Sequence, residues 1–340
     1  MHSLNFAHRG KTHALPGGEL YAAPHEVGFR DTSAGDLCAL IAEVDAGRSW
    51  RQAVHARYAM AKPWLHRIIT DPSRTAFFDA VLPPDSGPAL DIGAGWGQIC
   101  RPLAARRPVV ALEPVAERLA FIQAAARQDG IGSNLSYLGA DYFEIDFSTR
   151  FSAICAIGVF EWVGAFQNHA DPQERQAAFL RKVRADLSPG GSLVLGIENR
   201  LGLKYLLGCP DDHIGVPHIA NLPAPLARQR RLESSGQALQ SFTYSLVELG
   251  QMLQAAGFTQ IEFFGAFPDY KLPQKIVALA DAGRTLHAWL AAQPLPAEHN
   301  GYDGSPLDPV FQEMLAAQYR TLATAGIAHH FVPSFFVRAG

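Results

Sequence analysis

The stretch ALDIGAGWGQI (89–99) gathers the residues best suited to hold a ligand through the main chain. A short apolar run, 88–92, carries Asp91 near its end and breaks at once into Gly93, Gly95 and Gly97. Glycines where a strand turns into a helix let the backbone bend sharply and approach a bound molecule closely. A second run, Val109–Leu112, ends at Glu113, a carboxylate at the corresponding end of the next strand. Dinucleotide enzymes use G-x-G-x-x-G/A at this place. Gly93 and Gly95 fit its first two positions, but Gln98 stands at the third, and the third glycine is Gly97. A second concentration of chemistry lies in GIENRLGLKYLLGCPDDHIG (196–215), with Glu198, Asn199, Arg200, Lys204, Tyr205, Asp211, Asp212 and His213. An imidazole beside carboxylates is suited to moving a proton near neutral pH, and Arg and Lys are suited to an anionic group.

The elements that must position these groups are legible as alternation. Apolar runs at 88–92, Val109–Leu112, 135–138, 152–159 and 192–197 are separated by helical patterns at 116–127 and 173–187. Short strands apolar on both sides, alternating with helices, predict an α/β fold with a doubly wound, Rossmann-like, mostly parallel sheet. Before it, 1–83 reads as an N-terminal arm and helical cap. Phe6, Leu15, Leu20, Tyr21, Val27 and Phe29 serve short strands or an arm; helices begin near Ala34, Trp50, Pro63 and Arg74. The core domain is expected over 84–280. Within it, 199–241 reads as an irregular substrate-side insertion, a helix runs over 245–256, and strands at 261–264 and 276–279 flank FPDYKLP (267–273). A C-terminal helical extension, 281–340, completes the chain, with helices near 284–292 and 308–325.

The loop with its preceding acid resembles the first motif of the class I S-adenosylmethionine-dependent methyltransferases: an acidic residue, an apolar one, then G-x-G-x-G. Four later segments are similar to the family's other motifs in order. They are Glu113 after the second strand, Asp141-Tyr142 after the third, AIGVFEWVG (156–164) at the fourth, and Leu187-Ser188-Pro189-Gly190-Gly191 before the fifth. The resemblance covers about 88–200. It implies S-adenosyl-L-methionine as cofactor and S-adenosyl-L-homocysteine as product. It assigns the cofactor to Asp91, Gly93, Ala94, Gly95, Gly97, Glu113, Pro114, Asp141, Tyr142, Gly158, Val159 and Trp162. In the family Glu113 would hold the ribose hydroxyls and Asp141 the adenine amine, with Tyr142 stacking on the ring. A looser likeness, resting on 196–215 and FPDYKLP, is to a branch found with glycosyltransferases and surface-glycan biosynthesis.

Methyl transfer from a sulfonium is an in-line displacement, so the protein's task is alignment and exclusion of water, with a base added for a hydroxyl acceptor. His213 is the expected base, with Asp212 or Asp211 orienting it. Glu161 is a second catalytic candidate. Arg200, Lys204, Tyr205 and Asp211 are expected at the acceptor. No metal is expected: Asp211, Asp212 and His213 have no second cluster at ligand spacing to complete them. The favoured acceptor is a hydroxyl of a sugar or glycan precursor. The rivals are a natural-product or peptide carboxylate, and a catalytically silent protein that binds the cofactor.

Composition narrows the classes. The 340 residues are 48% hydrophobic and 18% charged, enough for a packed core, and the formal net charge of -3 disfavours a nucleic-acid acceptor. The fourth strand also lacks the Asn/Asp-Pro-Pro-aromatic motif that positions an exocyclic amine. Arg228-Gln229-Arg230-Arg231 is too short to change that. No apolar run approaches the length of a membrane span. The opening MHSLNFAHRG has no signal-peptide pattern, and four scattered cysteines predict no disulfide framework, so a cytoplasmic location is expected.

Overall fold

The computed structural model describes residues 3–23, 28–84, 87–166 and 171–340; Val27, assigned above to the arm, lies outside them. The chain forms two compact units, 1–75 with 83–156 and 185–193, and 76–82 with 157–184 and 194–340.

The first unit is built on parallel strands in the order Phe151–Ile157, Ala89–Ile92, Val109–Leu112, Leu135–Gly139, Leu20–Ala22. Asp91 is in register with Ala111 on one side and Cys155 on the other. The chain order reverses at Ala89–Ile92, so the loop after this strand emerges at the switch point where doubly wound sheets bind ligands. All four residues of Ala89–Ile92 and of Val109–Leu112 are buried, as their uninterrupted apolar character requires. The fold is therefore the Rossmann-like α/β arrangement expected. The arm adds the hairpin Leu4–His8 and Lys11–Leu15, which pairs antiparallel with Ile145–Phe147.

The N-terminal helices belong to this unit. Ala34–Asp45 starts at Ser33, whose hydroxyl accepts from the Asp36 amide, and buries Leu37, Leu40 and Val44. Trp50–Tyr58 and Pro63–Thr70 follow, the latter with proline in its first turn. Their apolar faces form one cluster with Phe121, Ala124 and Ala125 of the helix Ala116–Gln128 and with Trp96 of the glycine loop. The fourth helix expected from Arg74 is shorter, a 3-10 turn and then Phe77–Ala80, and this last piece belongs to the second unit.

The second unit carries antiparallel strands in the order Lys275–Ala278, Ile261–Phe267, Ser334–Ala339. The end of 281–340, expected to be a helical extension, is thus a strand. Leu246–Ala255 begins with a full capping box between Ser245 and Glu248. Ala280–Ala292 and Pro309–Thr324 follow, the first winding left-handed at Asp281, Ala282 and Gly283 before it becomes regular. The stretch 199–241 is less irregular than its sequence suggests, because Ala224–Ser235 is helical. That helix buries only Ala227 and leaves Leu226 and Leu232 exposed, so it has no apolar stripe to reveal it. None of the described helices is long and apolar enough to cross a membrane. All four cysteines are free.

Trp96 joins the glycine loop to the helical layer. It is 2% exposed, packs edge-on against Tyr58 and Phe121, and donates its indole N–H to Asp31 at 2.9 Å. Trp96→Ala is expected to cost about 3–5 kcal/mol. Denaturant unfolding would measure the loss, and amide exchange should rise first in 34–70.

Candidate active site

The loop at the switch point is held open by backbone geometry. Gly93, Gly95 and Gly97 have φ of 67°, 56° and 80°, the left-handed region that side chains strain. A Cβ on Gly97 would also lie 3.0 Å from both Arg101 Nε and Ile122 Cγ1, so this position excludes a larger residue for two reasons. Glu113 is 3% exposed and accepts from the Gly95 amide at 2.9 Å and the Val115 amide at 3.0 Å. Arg118 stands 3.7 Å from it. Burial, opposed by Arg118, pushes its carboxyl above the ordinary range. Asp91 is buried, and its Oδ2 has no hydrogen-bond partner among the described residues. Burial raises its carboxyl to about 7, against the pull of the Cys100 amide and Arg74.

The other expected cofactor residues are placed variously. Ala94 is buried in the loop, its amide bonded to the Leu112 carbonyl. Pro114 follows Glu113 and faces Gly28, where a Cβ would lie 3.3 Å from Pro114 Cγ. The Asp141 side chain accepts from the Phe143 amide at 2.8 Å and so caps the turn Tyr142–Glu144. Tyr142 is 4% exposed and donates its hydroxyl to Asp186 at 2.8 Å.

Gly158, Val159 and Trp162 follow the strand Phe151–Ile157 in the second unit. Gly158 donates its amide to the Gly196 carbonyl. Trp162 stacks on Phe166 and sets its ring edge-on to His213, centroids 5.1 Å apart.

His213 is the centre of a buried ionic cluster in the second unit. Its Nε2 lies 3.8 Å from Glu161 Oε1 and 3.5 Å from Glu198 Oε2, and its Nδ1 lies 3.6 Å from Asp211 Oδ1. The three side chains His213, Glu161 and Glu198 are 5%, 1% and 2% exposed. Glu161 begins just after one strand, and Glu198 ends the strand Leu187–Glu198. Both therefore stand at carboxyl ends of strands, where such folds carry their chemistry. Burial disfavours a charged imidazole, but Glu198, Asp211 and Glu161 outweigh it and raise His213 well above its ordinary value. Burial also acts on both glutamates. For Glu198 the charges of Lys271 and His213 win and hold it down at about 2; Glu161, with His213 and the Tyr270 hydroxyl but no lysine, is raised.

The lysines complete the cluster. Lys271 donates to Glu198 and, at 3.0 Å, to Asp212 Oδ2; Lys204 stands 3.2 Å from Asp212 Oδ1. These cations hold Asp212 far below the carboxylate range despite its burial. Asp269 pairs with His299 at 2.9 Å. A Cβ on Gly301 would fall 1.7 Å from Asp212 Oδ2, so the main chain passes too close to that carboxylate for any side chain.

The acceptor candidates divide. Asp211 accepts from the amides of His213 and Ile214 at 2.8 and 2.9 Å, so it fixes the turn that presents the imidazole. Asp212 faces the lysines. Lys204 and Tyr205 are buried, the ammonium 4.9 Å from the Tyr205 ring centre. Arg200 forms a two-pronged pair with Glu248 at 2.6 and 2.8 Å and donates to the Asn221 carbonyl at 3.0 Å. Sequence spacing did not show Glu198, Lys271 and Tyr270 as a unit with His213. They come from separate segments, and the signal available was FPDYKLP, whose Tyr270 and Lys271 both reach the cluster.

Residues 89–191 match the sequence family described as a methyltransferase domain. With the five motifs in order, this segment is a class I S-adenosylmethionine-dependent methyltransferase domain, an enzyme domain. Among solved structures the chain is similar to the CcbJ methyltransferase from Streptomyces caelestis, at 20% identity over 61% of this chain and 88% of that one, TM-score 0.43. It is also similar to a putative O-methyltransferase from Nostoc punctiforme, at 15% identity over 72% and 71%, TM-score 0.42. A third likeness is to the cyclopropane synthase MmaA2 from Mycobacterium tuberculosis, at 18% identity over 85% and 98%, TM-score 0.44. No curated protein matches the chain.

The residues present fit the cofactor: three left-handed glycines, a buried acid at the end of the second strand, and an Asp91 oxygen without a partner. Asp91 yields a pH prediction. Its folded value, about 7, lies above the free value of 3.8, so the stability it contributes is complete below about pH 4 and is lost as pH rises through 7. Asp91→Asn removes that dependence. Relative to wild type, the variant should gain up to roughly 4 kcal/mol between pH 4 and above 7, read as a growing difference in melting temperature.

Proposed function

We propose that the chain methylates a hydroxyl of a sugar or glycan precursor. One observation carries this reading: an imidazole is buried between two carboxylates at Nε2, and its Nδ1 side is held by Asp211, which also lines a recess. Gln173, Arg200, Phe242, Tyr244 and Ser241 line the same recess. A hydroxyl acceptor must lose a proton as it is methylated, whereas a carboxylate acceptor has none to lose. A costly buried cluster of proton carriers is understandable in the first case and idle in the second.

When bound, the cofactor supplies an electrophilic methyl group on sulfur. The chain's part is to bind, orient and keep the reacting atoms dry. Glu113 and the glycine loop hold the cofactor. Glu161, Glu198 and His213 form the centre that receives the acceptor's proton. Phe242 and Tyr244 line the recess as largely buried rings, the Arg228 guanidinium 4.6 Å over the first, with Gln173 and Ser241 as polar neighbours for an acceptor. Arg200 is engaged by Glu248, so anion binding at this recess would need that pair to open.

Calorimetry with S-adenosylmethionine tests the first half. Saturable binding is expected, and Glu113→Ala should weaken it about 100-fold or more. Absence of binding to folded wild-type protein would sink the reading. For the acceptor, labelled methyl transfer should be screened over free and nucleotide-linked sugars and over carboxylates. His213→Gln should lower transfer to a hydroxyl about 10²–10⁴-fold. Transfer to a carboxylate, indifferent to His213, would replace the sugar with the carboxylate reading.

A further inference from the structure

We propose that Glu161, Glu198 and His213 bind one divalent transition-metal cation, of the zinc, manganese or iron(II) class. This rests on reading the cluster as the acceptor-side centre, and it names what would act there. One ligand atom from each residue lies within 4.8 Å of the other two, a separation that spans a single ion. Cis ligands about 2.1 Å from a metal stand roughly 3.0–3.4 Å apart. The imidazole Nε2 is 3.5 Å from Glu198 Oε2, close to that spacing, and 3.8 Å from Glu161 Oε1, so the glutamates must close in and Glu161 must turn its other oxygen, Oε2, toward the ion.

An independent feature marks the same point. Glu161 Oε2, Glu198 Oε2 and His213 Nε2 are each buried and have no hydrogen-bond partner among the described residues. Leaving three polar atoms of three neighbouring residues without a hydrogen bond in the interior is costly, and a shared cation satisfies all three at once. The remaining atoms of these residues are already fixed. Glu161 Oε1 accepts from Tyr270, Glu198 Oε1 from Lys271, and the His213 ring lies against Trp162 with Nδ1 toward Asp211. Such outer contacts orient ligands and are usual around bound metals.

The donor set selects the ion. One imidazole nitrogen with two carboxylates suits zinc, manganese or iron(II) better than magnesium or calcium, which take oxygen alone. Binding at Nε2 displaces the imidazole proton to solvent, with no change in oxidation state. Three protein ligands leave a position for the acceptor hydroxyl, whose proton a bound cation makes easier to remove. His213 then works as a ligand rather than as a free base.

The test uses the full chain, stripped with chelator and dialysed against zinc(II) or cobalt(II). One equivalent should be retained per chain, with a visible absorption band for cobalt and a raised melting temperature. Glu161→Gln, Glu198→Gln and His213→Ala should each weaken retention about 100-fold or more. His287→Gln, in a different histidine group, should retain the ion. Calorimetry with S-adenosylmethionine on every variant reports folding and the methyltransferase reading separately. Metal retention without cofactor binding would overturn that reading and leave the metal site standing. No retained metal in wild type, or retention undiminished in cofactor-binding Glu198→Gln and His213→Ala chains, would overturn the site.

Discussion

The burial of charge in the second unit is the constraint from which its less regular half takes shape. Glu161, Glu198, Asp212, Lys204, Lys271 and His213 are all largely removed from water. In a poorly polarisable interior each charge must find its complement, because one left alone costs several kcal/mol. Lys271 therefore bridges Glu198 and Asp212, Lys204 takes the other side of Asp212, and Asp269 takes His299. These bonds tie 198–213 to 269–271 and to 298–301, three stretches with little regular structure of their own. Gly301 is part of the same arrangement, since only a bare backbone can pass so near the Asp212 carboxylate.

The first unit is governed by different physics. Its glycine loop depends on dihedral angles that three glycines adopt without strain, and on the apolar packing of Trp96 against the N-terminal helices. Asp31 ties this arrangement together, accepting from the Trp96 indole and pairing with Arg118 at 2.9 Å. Arg118 in turn stands beside Glu113. The helices that precede the sheet are thus packed onto the same loop and acid that the methyltransferase motif singles out. Disturbing their packing would reach the loop through one side chain and the acid through an ion pair.

This difference explains what the sequence could reveal. The loop half is written in contiguous residues: Asp91 through Gly97, then Glu113 at the next strand end. Both the glycine dihedrals and the strand pattern leave direct marks at those positions. The ionic half leaves only residue types. His213 was identifiable as chemistry, but its Nε2 partners arrive from 161 and 198, and nothing local announces that distant carboxylates converge. Arg200 shows the reverse error. It reads as an anion-binding side chain, yet Glu248, which also caps the helix Leu246–Ala255, already satisfies it. Charge type is visible in sequence; whether the charge is spent is a property of the fold. The helix Ala224–Ser235 escaped for a related reason, since an arginine-rich surface helix with one buried alanine has no period to detect.

The interior handles its unpaired acids in two ways, and the contrast singles out the cluster around His213. Where burial outweighs the pull of the nearest cation, the carboxyl is raised: Asp91 to about 7 against Arg74, and Glu298 to about 8 against Lys204. Where a lysine touches the acid, the charge stays, as for Glu198 at about 2. Glu161 fits neither solution. It is raised like the first group, yet a histidine held well above its ordinary value stands 3.8 Å away. The carboxyl and the imidazole hold each other in balance: the imidazole pulls the carboxyl down against its burial, and the carboxyl helps to raise the imidazole. Structure alone gains little from such a balance, since a lysine or a methionine there would be the simpler solution. A group whose charge must change during a reaction gains from it directly.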